Sequence, residues 1–183
     1  MAEYTKKIEK WHQLKSGIRY NWLVDYAAFS AFGTFELSNE DWEKRDFIVN
    51  FKGNSELTTE MDHKNAVDKA IDNVAQLILK TFGEEAKGLT FVCVPASTEG
   101  NTERRFLRFS QEVCKLTGML NAYGKIDDNE FFKGKDIIIF DDIIASGGSI
   151  CRFADKMKVL GANTICAIAL GKKISDGYDQ ECT

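Results

Sequence analysis

One proline, Pro95, is the only such residue in the 183-residue sequence, and neither a Pro- or Gly-rich stretch nor an internal repeat divides it. Nothing therefore marks a linker, and the length suits one domain with appendages. Histidine is almost missing: His12 and His63 stand alone, away from any cysteine cluster. The five cysteines (Cys93, Cys114, Cys151, Cys166 and Cys182) are odd in number and form no C-x-x-C pair. A structural zinc site and a disulfide framework are both excluded, and the thiols read as reduced, small apolar fillers. No apolar run approaches the ~20 residues that cross a bilayer, and the opening MAEYTKKIEKW has no apolar segment behind its lysines. The expectation is a cytoplasmic protein that does not enter a membrane. With a net charge of -4, the chain also lacks the excess of Lys and Arg by which proteins grip nucleic-acid backbones, so no direct nucleic-acid partner is expected.

What is present is an ordinary globular composition, 44% hydrophobic and 28% charged. Tyr20, Trp22, Val24 and Tyr26 alternate with less apolar neighbours in the period of a half-buried strand. Phe47, Val49 and Phe51 suggest a second strand, ended by the turn signal Lys52-Gly53-Asn54. Ala27 to Glu43 between them carries no clear pattern. From Met61 to Phe82, Val67, Ala70, Ile71, Val74 and Ile78 recur at steps of three and four, predicting an amphipathic helix closed by Gly83. Leu89–Val94 reads as a strand buried on both faces. A helix follows, capped by Asn101 or Thr102, with Phe106, Phe109, Val113 and Leu116 on one side and Gly118 at its end. A brief strand near Met119–Tyr123, a strand Asp136–Phe140, a helix from about Ser149 to Leu160 and a strand Thr164–Leu170 complete the pass. Continuous apolar strands alternating with amphipathic helices predict a doubly wound α/β fold with a mostly parallel sheet. We expect an α/β core over residues 61–183 and an aromatic-rich N-terminal segment over 1–60 that forms a β appendage or hood.

In such sheets ligands bind beyond the carboxyl ends of the strands. After IIIF comes Asp141-Asp142, and then the small-residue run Ala145, Ser146, Gly147, Gly148 and Ser149. Small residues let backbone N–H groups line a concavity, the following helix adds its unpaired amides, and Ser146 and Ser149 add hydroxyls, which together make an anion cradle. Gly-Gly-Ser alone would be an ordinary strand-to-helix connection. The two carboxylates change that reading, because side by side at a crevice they need partners, and vicinal sugar hydroxyls with a magnesium ion are suitable ones. A phosphate site one sugar away from a diol site describes a ribose 5-phosphate. Adjacent strand side chains face opposite ways, so this convergence requires the strand to end or twist at Asp141.

DDIIASGGS resembles the phosphoribosyl pyrophosphate signature of type I phosphoribosyltransferases, in a form most like that of the adenine phosphoribosyltransferases. The layout VCVPAS, then ERRF, with FKGN upstream, is similar to the competence-protein-F-like branch over roughly residues 47–172. The sequence departs from that branch by lacking the front zinc module and by a short Lys125–Lys135 where many catalytic members carry a mobile lid. The resemblance implies a second loop that holds pyrophosphate, matched here by Pro95, Ala96, Ser97 and Thr98, with Arg104 and Arg105 following. It implies Asp141 and Asp142 as catalytic residues that fix the ribose, with Mg2+ held at them through ribose hydroxyls or water. Ala145 to Ser149 would hold the 5-phosphate, and a nitrogen nucleophile would displace pyrophosphate. Some members carry an acidic base inside the loop; Ala145 stands there, which leaves Asp127, Asp128 and Glu130 as candidates from the short lid. The resemblance draws acceptor choice from a variable hood, here the N-terminal segment, whose aromatics are read as core packing in preference to base stacking or a homodimer contact. The alternative to an enzyme is a non-catalytic phosphoribosyl or nucleotide sensor. A dinucleotide oxidoreductase fits worse, since the acids precede the glycines and G-x-G-x-x-G is absent.

Overall fold

The computed structural model describes residues 2–26 and 38–173. Cys182 and most of the unassigned Ala27–Glu43 lie outside them. The elements run α1 (Ala2–Lys7), β1 (His12–Gln13), β2 (Arg19–Tyr26), α2 (Asn39–Lys52), α3 (Glu60–Phe82), a 3-10 turn, β3 (Thr90–Cys93), α4 (Glu99–Thr117), β4 (Leu120–Asn121), α5 (Asn129–Phe132), β5 (Asp136–Ile144), α6 (Gly148–Val159) and β6 (Asn163–Lys173). Six strands form one sheet in the order β1-β2-β6-β5-β3-β4, parallel except for the β1–β2 pair. This is the doubly wound architecture that the pattern predicts. No helix among the described residues is long and apolar enough to cross a membrane.

Each face of the sheet buries its own core. Ile138 and Phe140 of β5 pack with Phe51, Phe91, Phe106 and Phe109 under α2, α3 and α4. Ile137 and Ile139 pack with Ile150, Phe153 and Met157 under α6. On the first face the phenylalanines interlock, Phe109 lying 4.5 Å from Phe140 and edge-on to Phe51 at 5.3 Å between ring centroids. Such pairs add ~0.5–1.5 kcal/mol each beyond their burial. They fix Phe140, and so the start of the acidic pair that follows it.

The strand expected at Phe47–Phe51 is instead part of helix α2. Phe47, Ile48 and Phe51 are its buried stripe, and residues four apart share a helix face just as residues two apart share a strand face. The ends decide between the two. Ser38 accepts from the Asp41 amide while the Asp41 carboxylate accepts from the Ser38 amide, and Gly53 closes the last turn at φ 66°. Thr98, rather than Asn101 or Thr102, caps α4, and Leu116 on that helix is 51% exposed, its expected core place taken by Cys114 and Thr117. The N-terminal segment adds β2 to the sheet alongside β6 and α2 to the core shared with α3. Cys93, Cys114, Cys151 and Cys166 are free thiols, and burial pushes Cys114 up to about 12, in keeping with inert fillers.

β3 is flanked by β4 on one side and β5 on the other. The chain leaves β3 through α4 on one face and leaves β5 through α6 on the opposite face. A crevice opens at the carboxyl ends of these two strands, where doubly wound folds place their ligands.

Candidate functional site

The alternation that sorts β5 into two cores continues through its acidic pair. Asp141 belongs to the α6 face: its Oδ2 accepts a hydrogen bond from the Ser149 hydroxyl at 2.7 Å and its Oδ1 accepts from the Asp142 amide at 2.9 Å. Asp142 belongs to the opposite face, where its Oδ2 accepts from Arg105 Nη1 at 2.8 Å and lies 3.8 Å from Lys52 Nζ. The strand does not end at Asp141, since β5 stays paired with β6 through Asp141–Ala169 and Ile143–Gly171. The acids therefore diverge, and the chain itself supplies partners to both. They still line one cleft of about 340 Å³, with Lys52, Pro95, Ala96, Arg105 and Ser149, because the cleft lies across the sheet's end and is open to both faces.

Asp141 is 8% exposed. Burial pushes its carboxyl up to about 6, against the lowering effect of the Ser149 hydrogen bond; the neighbouring Asp142 charge adds to the rise. Two of its approximately four lone-pair positions are used, so acceptor capacity remains on the cleft side.

Ala145, Ser146 and Gly147 form the bend between β5 and α6, and Gly148 and Ser149 are the first two residues of the helix. Gly147 occupies the cap position at φ 79° with no side-chain cap. The N–H groups of Gly148, Ser149 and Ile150 thus have no partner four residues back, and the positive end of a 12-residue helix points where they point. A Cβ on Gly147 would stand 2.5 Å from Leu14 Cδ2, so the hairpin before β2 braces this bend. Lys172 Nζ donates to the Ala145 carbonyl at 3.0 Å, and Arg152 Nη1 lies near Gly148, placing two cations beside the amides.

The expected arginine pair separates. Arg105 is 8% exposed and reaches the cleft. Arg104 points elsewhere: Nε donates to the Gly53 carbonyl at 2.7 Å and Nη2 to Glu60 at 2.6 Å. Successive helix residues diverge by about 100°, so two adjacent arginines do not share a target. Of the loop residues, Ala96 lines the cleft and its N–H donates to Thr102 Oγ1 at 3.0 Å, whereas Ser97 is exposed and outside the lining. The lid candidates Asp127 and Asp128 are occupied, Asp127 by Lys156 at 2.6 Å and Asp128 as the cap of α5. Neither these two nor Glu130 lines the cleft.

Lys52 is the residue that the sequence pattern hid, because a strand reading of Phe47–Phe51 gives no reason to aim it. As the last residue of α2 it is presented by Gly53. A Cβ there would stand 2.6 Å from His63 Nδ1 and 2.7 Å from Arg104 Nε, at a left-handed φ that glycine alone adopts freely. His63 completes the joint, its Nδ1 2.8 Å from the Asn50 carbonyl and its Nε2 3.2 Å from the Arg104 carbonyl. Gly53→Ala is expected to cost roughly 1–3 kcal/mol from backbone strain and the displaced ring, read as a lower midpoint in urea denaturation with an unchanged slope.

Among the described residues no three His, Cys, Asp or Glu side chains gather as a metal cage. Two carboxylates at a cleft instead suit a magnesium ion that keeps most of its ligands from water and substrate phosphates.

A family described as PRTase-CE matches residues 37–174, which takes in both cleft loops and every residue lining the cleft. Shorter stretches resemble two ribose-phosphate pyrophosphokinases. That of Helicobacter hepaticus is 38% identical over 58 residues, 32% of this chain and 17% of the relative. That of Porphyromonas gingivalis is 45% identical over 42 residues, 23% of this chain and 13% of the relative. The chain thus spans under a fifth of these curated relatives. By the extent of the family match, the doubly wound fold and the acidic strand end leading into an amide-lined turn, this chain belongs to the phosphoribosyltransferase-like PRTase-CE family, within the type I phosphoribosyltransferase superfamily.

Proposed function

We propose that the chain binds phosphoribosyl pyrophosphate with magnesium in this cleft and transfers the phosphoribosyl group to a nitrogen nucleophile, releasing pyrophosphate. One observation carries the reading: the Ser149–Asp141 hydrogen bond joins the first turn of α6, with its free amides, to the acidic end of β5. The 5-phosphate would accept from the amides of Gly148, Ser149 and Ile150 and from the Ser146 hydroxyl, with Lys172 and Arg152 completing the charge. Asp141 and Asp142 would accept from the ribose hydroxyls and hold the sugar with its anomeric carbon toward β3. Arg105, Lys52 and the Ala96 turn then face the pyrophosphate, where negative charge grows as the C–O bond breaks. Magnesium, held by the two acids through ribose hydroxyls or water, would supply further neutralisation of the leaving group.

Arg105 and Lys52 rest on Asp142, so ligand entry exchanges one anion for another around them rather than exposing a charge. This gives a separating expectation. Arg105→Ala weakens phosphoribosyl pyrophosphate by about 10- to 100-fold through loss of a charged hydrogen bond, whereas Arg104→Ala leaves affinity within about twofold and lowers only thermal stability. Calorimetric titration of both variants reads the difference, and equal losses would contradict the assignment of Arg105.

The second reading is a sensor that binds without turnover. It is favoured by the segment between β4 and β5, where Phe132 is fully buried and Asp127 is paired with α6, so the stretch in a lid's place is anchored away from the cleft. Pyrophosphate release measured over purines, pyrimidines and simple amines separates the two. Release with any acceptor establishes the transferase, and tight binding without release over the whole panel establishes the sensor.

A further inference from the structure

His63 is 9% exposed, and both of its ring nitrogens face main-chain carbonyls: Nδ1 stands against Asn50 in the last turn of α2, and Nε2 against Arg104 in α4. A carbonyl accepts and never donates. Neutral imidazole carries one N–H, so in either tautomer one nitrogen would turn a lone pair toward a carbonyl oxygen in a buried place, where such a mismatch is costly. Only the imidazolium donates to both. The surroundings suit a cation, because the carbonyls that end the 14-residue α2 have no partner further along the helix and form the negative end of its dipole. Two other cationic side chains already use them, Arg105 Nε taking the Lys52 carbonyl at 3.2 Å and Arg104 Nε that of Gly53. The charges around the ring are Lys52 from α2, Arg104, Arg105 and Arg108 from α4, and Glu60, Lys64 and Asp68 from its own helix. Each of these cations is drawn to a carboxylate: Arg104 to Glu60, Arg105 and Lys52 to Asp142 of β5, and Arg108 and Lys64 to Asp68. Glu60 is held below the usual carboxylate range by its Arg104 hydrogen bond first, with His63 also lowering it.

Resting on the proposed binding of phosphoribosyl pyrophosphate in the cleft, we propose that His63 is a positioning residue for that site, held doubly protonated so that one ring ties the end of α2 to α4. Lys52 is two residues beyond Asn50, and Arg105 is next to Arg104. The tie therefore sets the spacing between the two cations that face the pyrophosphate. Loss of the second ring proton replaces one N–H···O bond by a repulsive contact, the end of α2 moves off α4, and Lys52 and Arg105 part. The tie runs through the main-chain carbonyl of Arg104, which Arg104→Ala retains, so it is independent of that side chain. The consequence is a cleft that holds phosphoribosyl pyrophosphate more weakly as pH rises and His63 changes from imidazolium to imidazole.

The test has two readouts on the full chain. His12 and His63 are the only histidines, so nitrogen-15 NMR of the labelled protein gives two imidazole signals sets, and His63→Gln assigns them. At about pH 7, where a free imidazole is mostly neutral, the expected result is a proton on both ring nitrogens of His63. One protonated and one bare nitrogen overturns the proposal, whatever the cleft binds. The second readout is calorimetric affinity for magnesium–phosphoribosyl pyrophosphate in the parent, His63→Asn and His63→Gln, from about pH 6 to about pH 9. The asparagine amide stands in for Nδ1 and keeps the bond to Asn50, the glutamine amide stands in for Nε2 and keeps the bond to Arg104, and neither titrates. Across the range the parent is expected to lose about tenfold more affinity than either variant, the contribution of one buried hydrogen bond. Acids and phosphates that also titrate are common to all three proteins, so the difference isolates His63. Thermal unfolding confirms which variants fold, and either one alone decides the comparison. Parallel affinity–pH curves overturn the positioning role and leave the cleft reading standing. If the parent does not bind phosphoribosyl pyrophosphate at any pH, the cleft reading falls and the positioning role falls with it.

Discussion

Replacing Asp141 and Asp142 together by asparagine is expected to weaken magnesium–phosphoribosyl pyrophosphate by about two orders of magnitude or more while the fold survives. A charge-assisted hydrogen bond contributes ~1.5–3 kcal/mol, and each acid would accept at least one from the ribose. Asparagine keeps the shape and one acceptor oxygen, so Ser149 and Arg105 retain a partner. What is lost is the charge that sharpens acceptance from hydroxyls and that balances a magnesium ion. Calorimetry of parent and double variant reads the loss, with far-UV circular dichroism as the check on folding. Equal affinity in the two proteins would remove both acids from the site.

The single change Asp141→Asn is expected to make the protein more stable at neutral pH, even as it damages the site. Burial raises the Asp141 carboxyl from 3.8 to about 6, so between roughly pH 4 and pH 6 the folded chain holds a proton that the unfolded chain has released. Stability therefore falls as pH rises through that window, and above it the buried charge costs about 3 kcal/mol at about 1.4 kcal/mol per pKa unit. Asparagine carries no such charge. After allowing for a weaker hydrogen bond to Ser149, a gain of about 2 kcal/mol at pH 7 corresponds to a Tm higher by roughly 4–8 °C in a chain of this size. The exposed acids Asp41, Glu60 and Asp68, held low by Ser38, Arg104 and Arg108 respectively, act in the opposite sense in both proteins. The difference between the two stability–pH curves isolates Asp141. It should widen from pH 4 to pH 6 and then level off. A variant less stable than the parent at pH 7 would show that the Ser149 hydrogen bond outweighs desolvation. The same linkage predicts that a ligand whose hydroxyls donate to Asp141 releases a proton on binding near pH 6, detectable as a dependence of the heat on buffer ionisation enthalpy.

Stability given up at a cleft is the usual sign of a site held ready for a ligand, and it explains which parts of this site were legible in the sequence. IIIFDD followed by ASGGSI announces a buried strand, two acids and a small-residue turn by residue type alone, and the structure brings the two acids and Ser149, but not Ala145 to Gly148, into the lining of one cleft. The helix over Glu60–Phe82 was equally plain, since nine buried residues repeat at helical spacing. Phe47–Phe51 was not, because three apolar residues at steps of two satisfy a strand and, at a step of four, a helix. The distinguishing signal was the pair Ser38 and Asp41, a capping box nine residues upstream of Phe47. Misreading that helix concealed Lys52. The split between Arg104 and Arg105 was hidden for a different reason: it depends on the rotation of α4 against Gly53 and β5, which is settled by packing and not by the order of residues. The ion pair between Arg105 and Asp142 joins positions 37 apart in the chain, beyond what local patterning conveys.

A crystal structure of the chain with magnesium and phosphoribosyl pyrophosphate is the most direct measurement. The expected complex has the 5-phosphate on the amides of Gly148, Ser149 and Ile150, the ribose hydroxyls on Asp141 and Asp142, and the pyrophosphate beside Arg105 and Lys52. Phosphate density elsewhere, or a sugar that leaves both acids on Ser149 and Arg105 alone, would contradict it.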